Sequence, residues 1–120
     1  GRCPHCAGAI ESGLAESGRA FTERVYSSAA RFACRRCSWS MHCGVPFAVR
    51  IEPAVVSFLY DHGVGVAERP PWSIYRHAED RVLSREPWRV EVTCRIEDDV
   101  LRLVVDGDVD VIETVLEPAA

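Results

Sequence analysis

Four cysteines fall in two C-x-x-C pairs, a spacing that can bind a metal ion. "CPHC" contains Cys3 and Cys6, and "CRRC" contains Cys34 and Cys37. Tetrahedral zinc takes four thiolates at about 2.3 Å from the metal. A gap of two residues lets both thiolates of a pair face the same ion while backbone amides stabilise their charge. The spacing therefore predicts one structural Zn²⁺ held by these four thiolates.

Three other uses of the same thiols fit the sequence less well. A disulfide framework needs an oxidising compartment, and nothing in the sequence signals export. A redox C-x-x-C needs one reactive pair at a helix N-terminus, whereas the two pairs here lie near predicted strands. Iron–sulfur clusters also use four thiolates but usually have other spacings. Zinc is therefore the metal we expect.

Two further cysteines and a histidine raise the possibility of a sensor. Cys43 and Cys94 fall on the predicted inward faces of strands, where free cysteines are usually buried core residues. Cys43 is nevertheless close to the second pair and next to His42. A labile metal or redox site that includes His42 and Cys43 is therefore an alternative hypothesis.

The charges bear on nucleic-acid binding. Residues 1–50 contain seven Arg and three Glu, whereas residues 51–120 contain seven Arg and fifteen acidic residues. The basic part includes Arg31, Arg35 and Arg36, which with Trp39 are candidates for contacting phosphate and stacking on a base. The net charge of −4 argues against broad DNA binding, so a nucleic-acid-binding zinc ribbon is a second alternative.

The sequence lacks the common signatures of an enzyme. Four cysteines complete a zinc shell, so no open position remains for a catalytic water. The chain has no G-x-S-x-G, phosphate-loop or H-E-x-x-H motif. The acidic run "DGDVD" at 106–110 resembles part of a calcium loop but lacks the required Glu, so we predict a solvated turn. We therefore expect a protein that is not an enzyme.

The predicted elements define an α+β fold. Residues 1–50 are expected to form zinc ribbon-like β-hairpins, with strands over 19–26 and 39–47 and a turn over 27–30. Pro53, an apolar stripe and Gly63 predict one main helix over 53–62, with His62 as a cation at its C-terminal end. The remaining predictions are a loop or short helix over 78–86 and a three-stranded antiparallel meander over 88–96, 100–105 and 109–116, the last two strands joined by an Asp-Gly turn.

Length and composition indicate a single globular domain spanning 1–120. The chain is 48% hydrophobic and 27% charged, and it has no apolar run long enough to cross a bilayer. We therefore expect a cytoplasmic protein without membrane contact. All fourteen cationic side chains are Arg, a composition typical of proteins that work at high salt. The opening "GRCPHC" lacks a start Met, which suggests a fragment.

The segment "EPAVVSFLYDHGVGVAERPPWSI" at 52–74, after "CxxC … FxCxxC", resembles the C-terminal domain of haloarchaeal winged-helix regulators of the ArsR-like type. The resemblance extends from Cys3 to about Thr114. One departure is that Ala7 and Ser38 stand where a Gly usually follows each cysteine pair.

The resemblance implies a role in transcription. It implies that an absent N-terminal helix-turn-helix domain binds DNA. This chain would then be an accessory domain that forms a homodimer or senses a small-molecule effector.

Overall fold

A computed structural model describes residues 2–16, 28–63 and 78–118. The predicted strand over 19–26 lies outside these residues. The described part is α+β with two antiparallel sheets and few helices, which confirms the predicted class at that level. These elements position the cysteine pairs.

The first sheet carries both cysteine pairs at one end. Its strands are β1 (Ile10–Glu16), β2 (Ser28–Cys34) and β3 (Ser40–Gly44), in that order and antiparallel. Ile10 pairs with Cys34, so the register places the start of β1 beside the end of β2. The first cysteine pair precedes β1 and the second follows β2. The two pairs are therefore brought to the same end of the sheet.

Two predictions in this region were wrong. Residues 28–30, predicted as a turn, are the first residues of β2, and all three are buried. Their small side chains suit a closely packed strand there. The predicted strand over 39–47 ends at Gly44, and the short helix α1 (Val45–Ala48) follows. Pro46 explains the change, because proline suits the first turn of a helix and cannot donate a hydrogen bond to a sheet.

The predicted helix over 53–62 corresponds to α2 (Pro53–Asp61). Proline occupies its first turn, and Gly63 follows the helix with a φ of 78°, a left-handed conformation that glycine adopts without steric cost. One face of α2 is buried through Val55, Phe58 and Leu59. The stripe predicted from the sequence was Val55, Val56, Leu59 and Tyr60, and it was only partly right, because Val56 and Tyr60 are exposed.

The second sheet has four strands where the sequence predicted three. They are β4 (Ala78–Arg85), β5 (Trp88–Ile96), β6 (Asp99–Asp106) and β7 (Val111–Glu117), paired in sequence order. The prediction of a loop or short helix over 78–86 was therefore wrong. The many charged residues of β4 make its alternation hard to recognise in the sequence. In the structure, Ala78 and Val82 pack on the core, whereas Glu79, Leu83 and Arg85 are exposed. Residues 106–110 form the predicted turn.

One apolar cluster joins the two sheets and the helices. Ala30 and Cys43 contribute from the first sheet, Leu59 from α2, and Val92 and Leu103 from the second sheet. A polar contact adds to this junction: Asp80 on β4 accepts hydrogen bonds from the Ser28 hydroxyl at 2.8 Å and the Ser28 N–H at 3.2 Å. The first sheet is therefore fixed to the second close to where β2 begins.

Candidate metal centre

The two cysteine pairs lie in two turns that are hydrogen-bonded to each other. The first turn closes through the Cys3 N–H to the Gly8 carbonyl and the Ala7 N–H to the Cys3 carbonyl, both at 2.9 Å. The second turn connects β2 to β3 and closes through the Cys34 N–H to the Trp39 carbonyl at 2.9 Å. The Arg35 N–H donates to the Ala9 carbonyl at 3.0 Å and so joins the two turns.

The four predicted thiols converge on one point. The sulfur atoms of Cys3 and Cys37 are 3.7 Å apart, and those of Cys6 and Cys34 are 3.5 Å apart. All four lie within 4.8 Å of one another. A tetrahedron with metal–sulfur bonds of about 2.3 Å has sulfur–sulfur edges of about 3.8 Å. The donor spacing therefore matches one tetrahedral ion.

Backbone amides surround the sulfur atoms. Five N–H groups donate to the four sulfurs at 3.3–3.4 Å: His5 to Cys3, Gly8 to Cys6, Arg36 and Cys37 to Cys34, and Trp39 to Cys37. Each pair thus has amides that can stabilise thiolate charge. This is the arrangement that the two-residue spacing predicts for metal-binding turns.

The sulfurs differ in how easily they lose a proton. The Arg36 and Cys37 N–H groups lower the pKa of Cys34 to about 6. The Gly8 N–H lowers the pKa of Cys6, but the hydrogen bond with Cys34, desolvation and the other two thiols together raise it to about 12. Four thiolates this close repel one another unless a cation lies between them. Metal binding must therefore release protons from the site.

The donor set fits zinc. Four thiolates are soft ligands, and a closed tetrahedron of sulfur is typical of structural zinc. A coordination shell filled by protein thiolates also has no open position for water. Cys3, Cys6, Cys34 and Cys37 would hold such an ion, which would cross-link the start of β1 to the turn between β2 and β3.

Gly8 is a residue of this site that the sequence reading did not identify. A Cβ atom added there would lie 2.9 Å from the Arg36 Cβ and 3.2 Å from the sulfurs of Cys6 and Cys34. Glycine is therefore required for close approach of the two turns. Its position two residues after Cys6 was the available signal. Ala7 adopts a φ of 62° at the position where the resembled family usually has Gly.

The sensor candidates do not form a site together. His42 and Cys43 are consecutive on β3, so their side chains point to opposite faces of the sheet. His42 is exposed, whereas Cys43 belongs to the apolar core. Burial raises the pKa of Cys43 to about 11 despite the charge of Arg50, and burial alone raises the pKa of Cys94 to about 11. Both are poor nucleophiles and poor metal ligands in this state.

The nucleic-acid candidates are spread over two places. Arg31 lies in the middle of β2, opposite His42, whereas Arg35, Arg36 and Trp39 belong to the second cysteine turn. Arg35 forms an ion pair with Glu11 at 2.8 Å.

The surface beside Arg35 is acidic. A groove there is lined by Ile10, Glu11, Ser12, Arg35, Asp108 and Asp110. These carboxylates would repel a phosphate backbone, so the arrangement weakens the case for a nucleic-acid interface.

In the acidic β6–β7 connection, a carboxylate accepts hydrogen bonds from the backbone of the same turn. Oδ1 of Asp106 accepts the N–H groups of Asp108 at 2.9 Å and Asp110 at 3.0 Å. The carboxylates of Asp106, Asp108 and Asp110 lie within 4.8 Å of one another. The hydrogen bonds of the Asp106 carboxylate stabilise the turn. The interpretation of 106–110 as a turn rather than a calcium loop is consistent with these bonds.

Among the described residues, no helix has the length and apolar character needed to cross a membrane.

Comparison with known proteins gives one relation. No curated protein and no solved structure shows significant similarity to the chain. One family model matches residues 1–111 of the 120 residues. On that match, the chain belongs to the family described as Domain of unknown function (DUF7351).

Proposed function

We propose that this chain is an accessory domain of an archaeal transcriptional regulator, in which a structural zinc ion fixes the first sheet and the rest of the domain supports self-association or effector sensing. The observation that carries the zinc part is the convergence of Cys3, Cys6, Cys34 and Cys37 within 4.8 Å. A closed thiolate shell supports a structural rather than a catalytic ion. The proposal therefore assigns no enzymatic activity to the chain.

The regulatory part of the proposal rests on the resemblance of residues 52–74 to haloarchaeal winged-helix regulators. Residues 53–61 of that segment form α2, whose buried residues belong to the apolar cluster that also contains residues of both sheets. In this proposal an absent N-terminal domain binds DNA in the cytoplasm, and this chain forms a homodimer or binds a small molecule. The acidic second half of the chain fits a domain that does not itself contact DNA.

The zinc part is tested by elemental analysis combined with thiol titration. We expect one zinc ion per chain and four thiols protected by it. A matched control is Cys43→Ser, which removes a buried core thiol and should leave the zinc content unchanged. Absence of bound metal after purification without chelator, or zinc lost equally in Cys43→Ser and Cys37→Ser, would contradict the proposal.

The regulatory part is tested by fusion to a DNA-binding domain that occupies its operator only as a dimer. If the chain supplies dimerisation, the fusion represses a reporter, whereas the DNA-binding domain alone does not. Repression that changes with added metabolites would instead favour effector sensing. A fusion that neither represses nor responds to any added compound would contradict the accessory-domain proposal.

The nucleic-acid alternative has a direct test. Arg31 and Arg36 are exposed, which is the observation that keeps it open. Titration with single- and double-stranded DNA at low salt should show no binding if the proposal is correct. Binding that weakens in Arg31→Ala and Arg36→Ala, with a steep dependence on salt, would replace it with a nucleic-acid-binding ribbon.

A further inference from the structure

Strand β7 lies at the end of the four-stranded sheet and pairs on one side only. The strand order is β4-β5-β6-β7, and no strand within residues 2–16, 28–63 and 78–118 pairs with its outer edge. Such an edge presents backbone N–H and C=O groups that can bind another strand. The question is which strand this edge fits.

The side chains of β7 are unusually apolar for an exposed edge. Leu116 is 58% exposed, yet it pairs with Leu101, which is only 2% exposed. Ile112 is 51% exposed, and Val115, which pairs with Arg102 on the other face of the sheet, is 40% exposed. The row of apolar side chains on the core face of the sheet therefore extends onto β7, where the described residues leave it exposed to solvent. Added apolar cover at this edge would remove that surface from water.

The sequence of β7 is compatible with pairing to itself. In an antiparallel pair centred on Thr114, the five residues from Ile112 to Leu116 find partners, whereas Val111 lies beyond the register shift in the pairing of β7 with β6. Because opposed residues in this part of the strand have the same parity, each face of the sheet continues into the second copy. The opposed pairs are Ile112 with Leu116, Glu113 with Val115, and Thr114 with Thr114.

The charges select this register. Centred on Thr114, neither Glu113 nor Glu117 faces another carboxylate. Moving the two-fold axis by one residue places Glu113 opposite itself in one direction and opposite Glu117 in the other. Like charges directly opposed across strands are destabilising. The longest pairing is thus also the one without like-charge opposition.

We propose that two copies of this chain pair β7 with β7, antiparallel about Thr114, to form one continuous eight-stranded sheet. The pairing specifies the self-association in the proposed function and rests on that part of it. It is an isologous interface, since the same strand is used by both copies. The backbone bonds supply affinity, and the two Ile112–Leu116 contacts fix the register.

The opposite edge of the sheet is less suited to pairing. Four of the eight residues of β4 are charged, namely Glu79, Asp80, Arg81 and Arg85, whereas β7 has two charged residues of seven. Charges along an edge oppose strand addition. Leu83 is an exposed apolar residue on β4 at 44% exposure, so it provides a matched control for Leu116.

Sedimentation equilibrium over a range of concentrations, with zinc present, tests the pairing. The wild-type chain should associate to a dimer. Because one strand pair is a small interface, the dimer fraction should rise with protein concentration over the measured range. Leu116→Glu and Ile112→Arg should each weaken dimerisation about tenfold or more, since each changes two symmetry-related contacts. Leu83→Glu should have no such effect. Zinc content and circular dichroism establish that each variant is folded.

The combined variant Ile112→Arg with Leu116→Glu tests the register. Each introduced guanidinium then faces an introduced carboxylate, so dimerisation should recover to within about threefold of the wild type. Failure to recover would overturn the register about Thr114. Raising the salt concentration should not weaken the wild-type dimer, because no ion pair crosses the interface.

Two outcomes separate this inference from the proposed function. A chain that remains monomeric at every concentration while retaining zinc would overturn the β7 pairing and the dimerisation part, and would leave the zinc and effector-sensing parts. A dimer that is unaffected by Leu116→Glu but lost in Leu83→Glu would overturn the β7 pairing alone. In that case self-association would use the other edge.

Discussion

At the scale of single residues, Gly8 offers the sharpest test of the metal centre. Gly8→Ala places a Cβ atom 2.9 Å from the Arg36 Cβ and 3.2 Å from two ligand sulfurs, so the turns must separate. We expect zinc affinity to fall about tenfold or more, because the ligands lose their fixed geometry. Competition with a chelator measures the change.

Gly13→Ala is the matched control for that variant. Gly13 lies on β1, and the nearest atom to an added Cβ is the Gly107 carbonyl oxygen at 4.0 Å. Zinc affinity should therefore be unchanged. Equal affinity in both variants would show that the close approach at Gly8 has no effect on the site.

Ala7 provides a second test at this scale. Its φ of 62° is in the left-handed region, which costs a residue with a Cβ about 1–2 kcal/mol. Ala7→Gly removes that cost but adds freedom to the unfolded chain, so we expect a net gain in unfolding free energy of up to about 1 kcal/mol. Denaturant unfolding with saturating zinc measures it.

Ala9→Gly is the control for Ala7→Gly. Ala9 is also exposed, pairs with Arg2 in an isolated bridge, and does not have a positive φ. It should therefore lose about 0.5–1 kcal/mol of unfolding free energy from added chain entropy alone. A loss of similar size in Ala7→Gly would contradict the argument from the left-handed conformation.

The ligands of the metal centre could be predicted from the sequence, but their support could not. The C-x-x-C spacing depends only on local geometry, so Cys3, Cys6, Cys34 and Cys37 are identified without knowing the fold. The need for Gly8 arises from contact with Arg36, on a distant turn. Contacts between separate turns depend on how β1 and β2 pair, which the sequence pattern alone does not specify.

At the scale of elements, His62 connects the end of α2 to the first residue of β6. Its Nδ1 lies 2.7 Å from the Phe58 carbonyl and its Nε2 lies 2.8 Å from Oδ2 of Asp99. Both ring nitrogens thus face acceptors, and only the protonated ring donates to both. The Phe58 carbonyl first, and then Asp99 and the charge of Glu97, raise the pKa of His62.

This geometry predicts a pH-dependent contribution to stability. Because the folded pKa of His62 is raised, its stabilising effect is fully present below the ordinary pKa of about 6.5 and is lost as pH rises through the folded value. The unfolding free energy of His62→Gln, subtracted from that of the wild type with zinc saturating, should fall over that window. Asp99→Asn should reduce the same pH dependence. A difference that does not vary with pH would contradict the assignment.

Some helices and strands could be predicted from the sequence and others could not, for physical reasons. Helix α2 has a proline at its start, a glycine after its end and apolar residues between, so local signals identify it as a helix. Strand β4 has four charged residues among eight and no local signal strong enough to identify it. It is a strand because Val82 packs on the core and its backbone pairs with β5. Because these contacts depend on β5 and on the core, the sequence of β4 alone does not reveal the strand.

At the scale of the whole molecule, the metal centre and the second sheet are mechanically connected. The four clustered cysteines lie at one end of the first sheet, and Ala30 and Cys43 of that sheet belong to the core that includes β5 and β6. The hydrogen bonds from Ser28 to Asp80 join the sheets directly. We therefore expect loss of zinc to loosen the core as well as the metal turns.

The buried thiols report whether this connection holds. Six cysteines are free of disulfides, and four of them form the metal cluster. With zinc bound we expect no rapidly reacting thiol, since Cys43 and Cys94 are buried and have raised pKa values. After chelation we expect all six to react, with the two core thiols following at the rate at which the core opens. A colorimetric thiol titration under native conditions measures both phases.

Separate variants assign the two phases. Cys94→Ser should remove one thiol from the slow phase only, because Cys94 lies on β5 in the core and is not part of the metal cluster. If only four thiols react after chelation, the second sheet retains its core without zinc and the metal organises the first sheet alone. If six react, the ion stabilises a core that extends to β5 and β6, so its loss would also disturb the sheet that carries the proposed β7 interface.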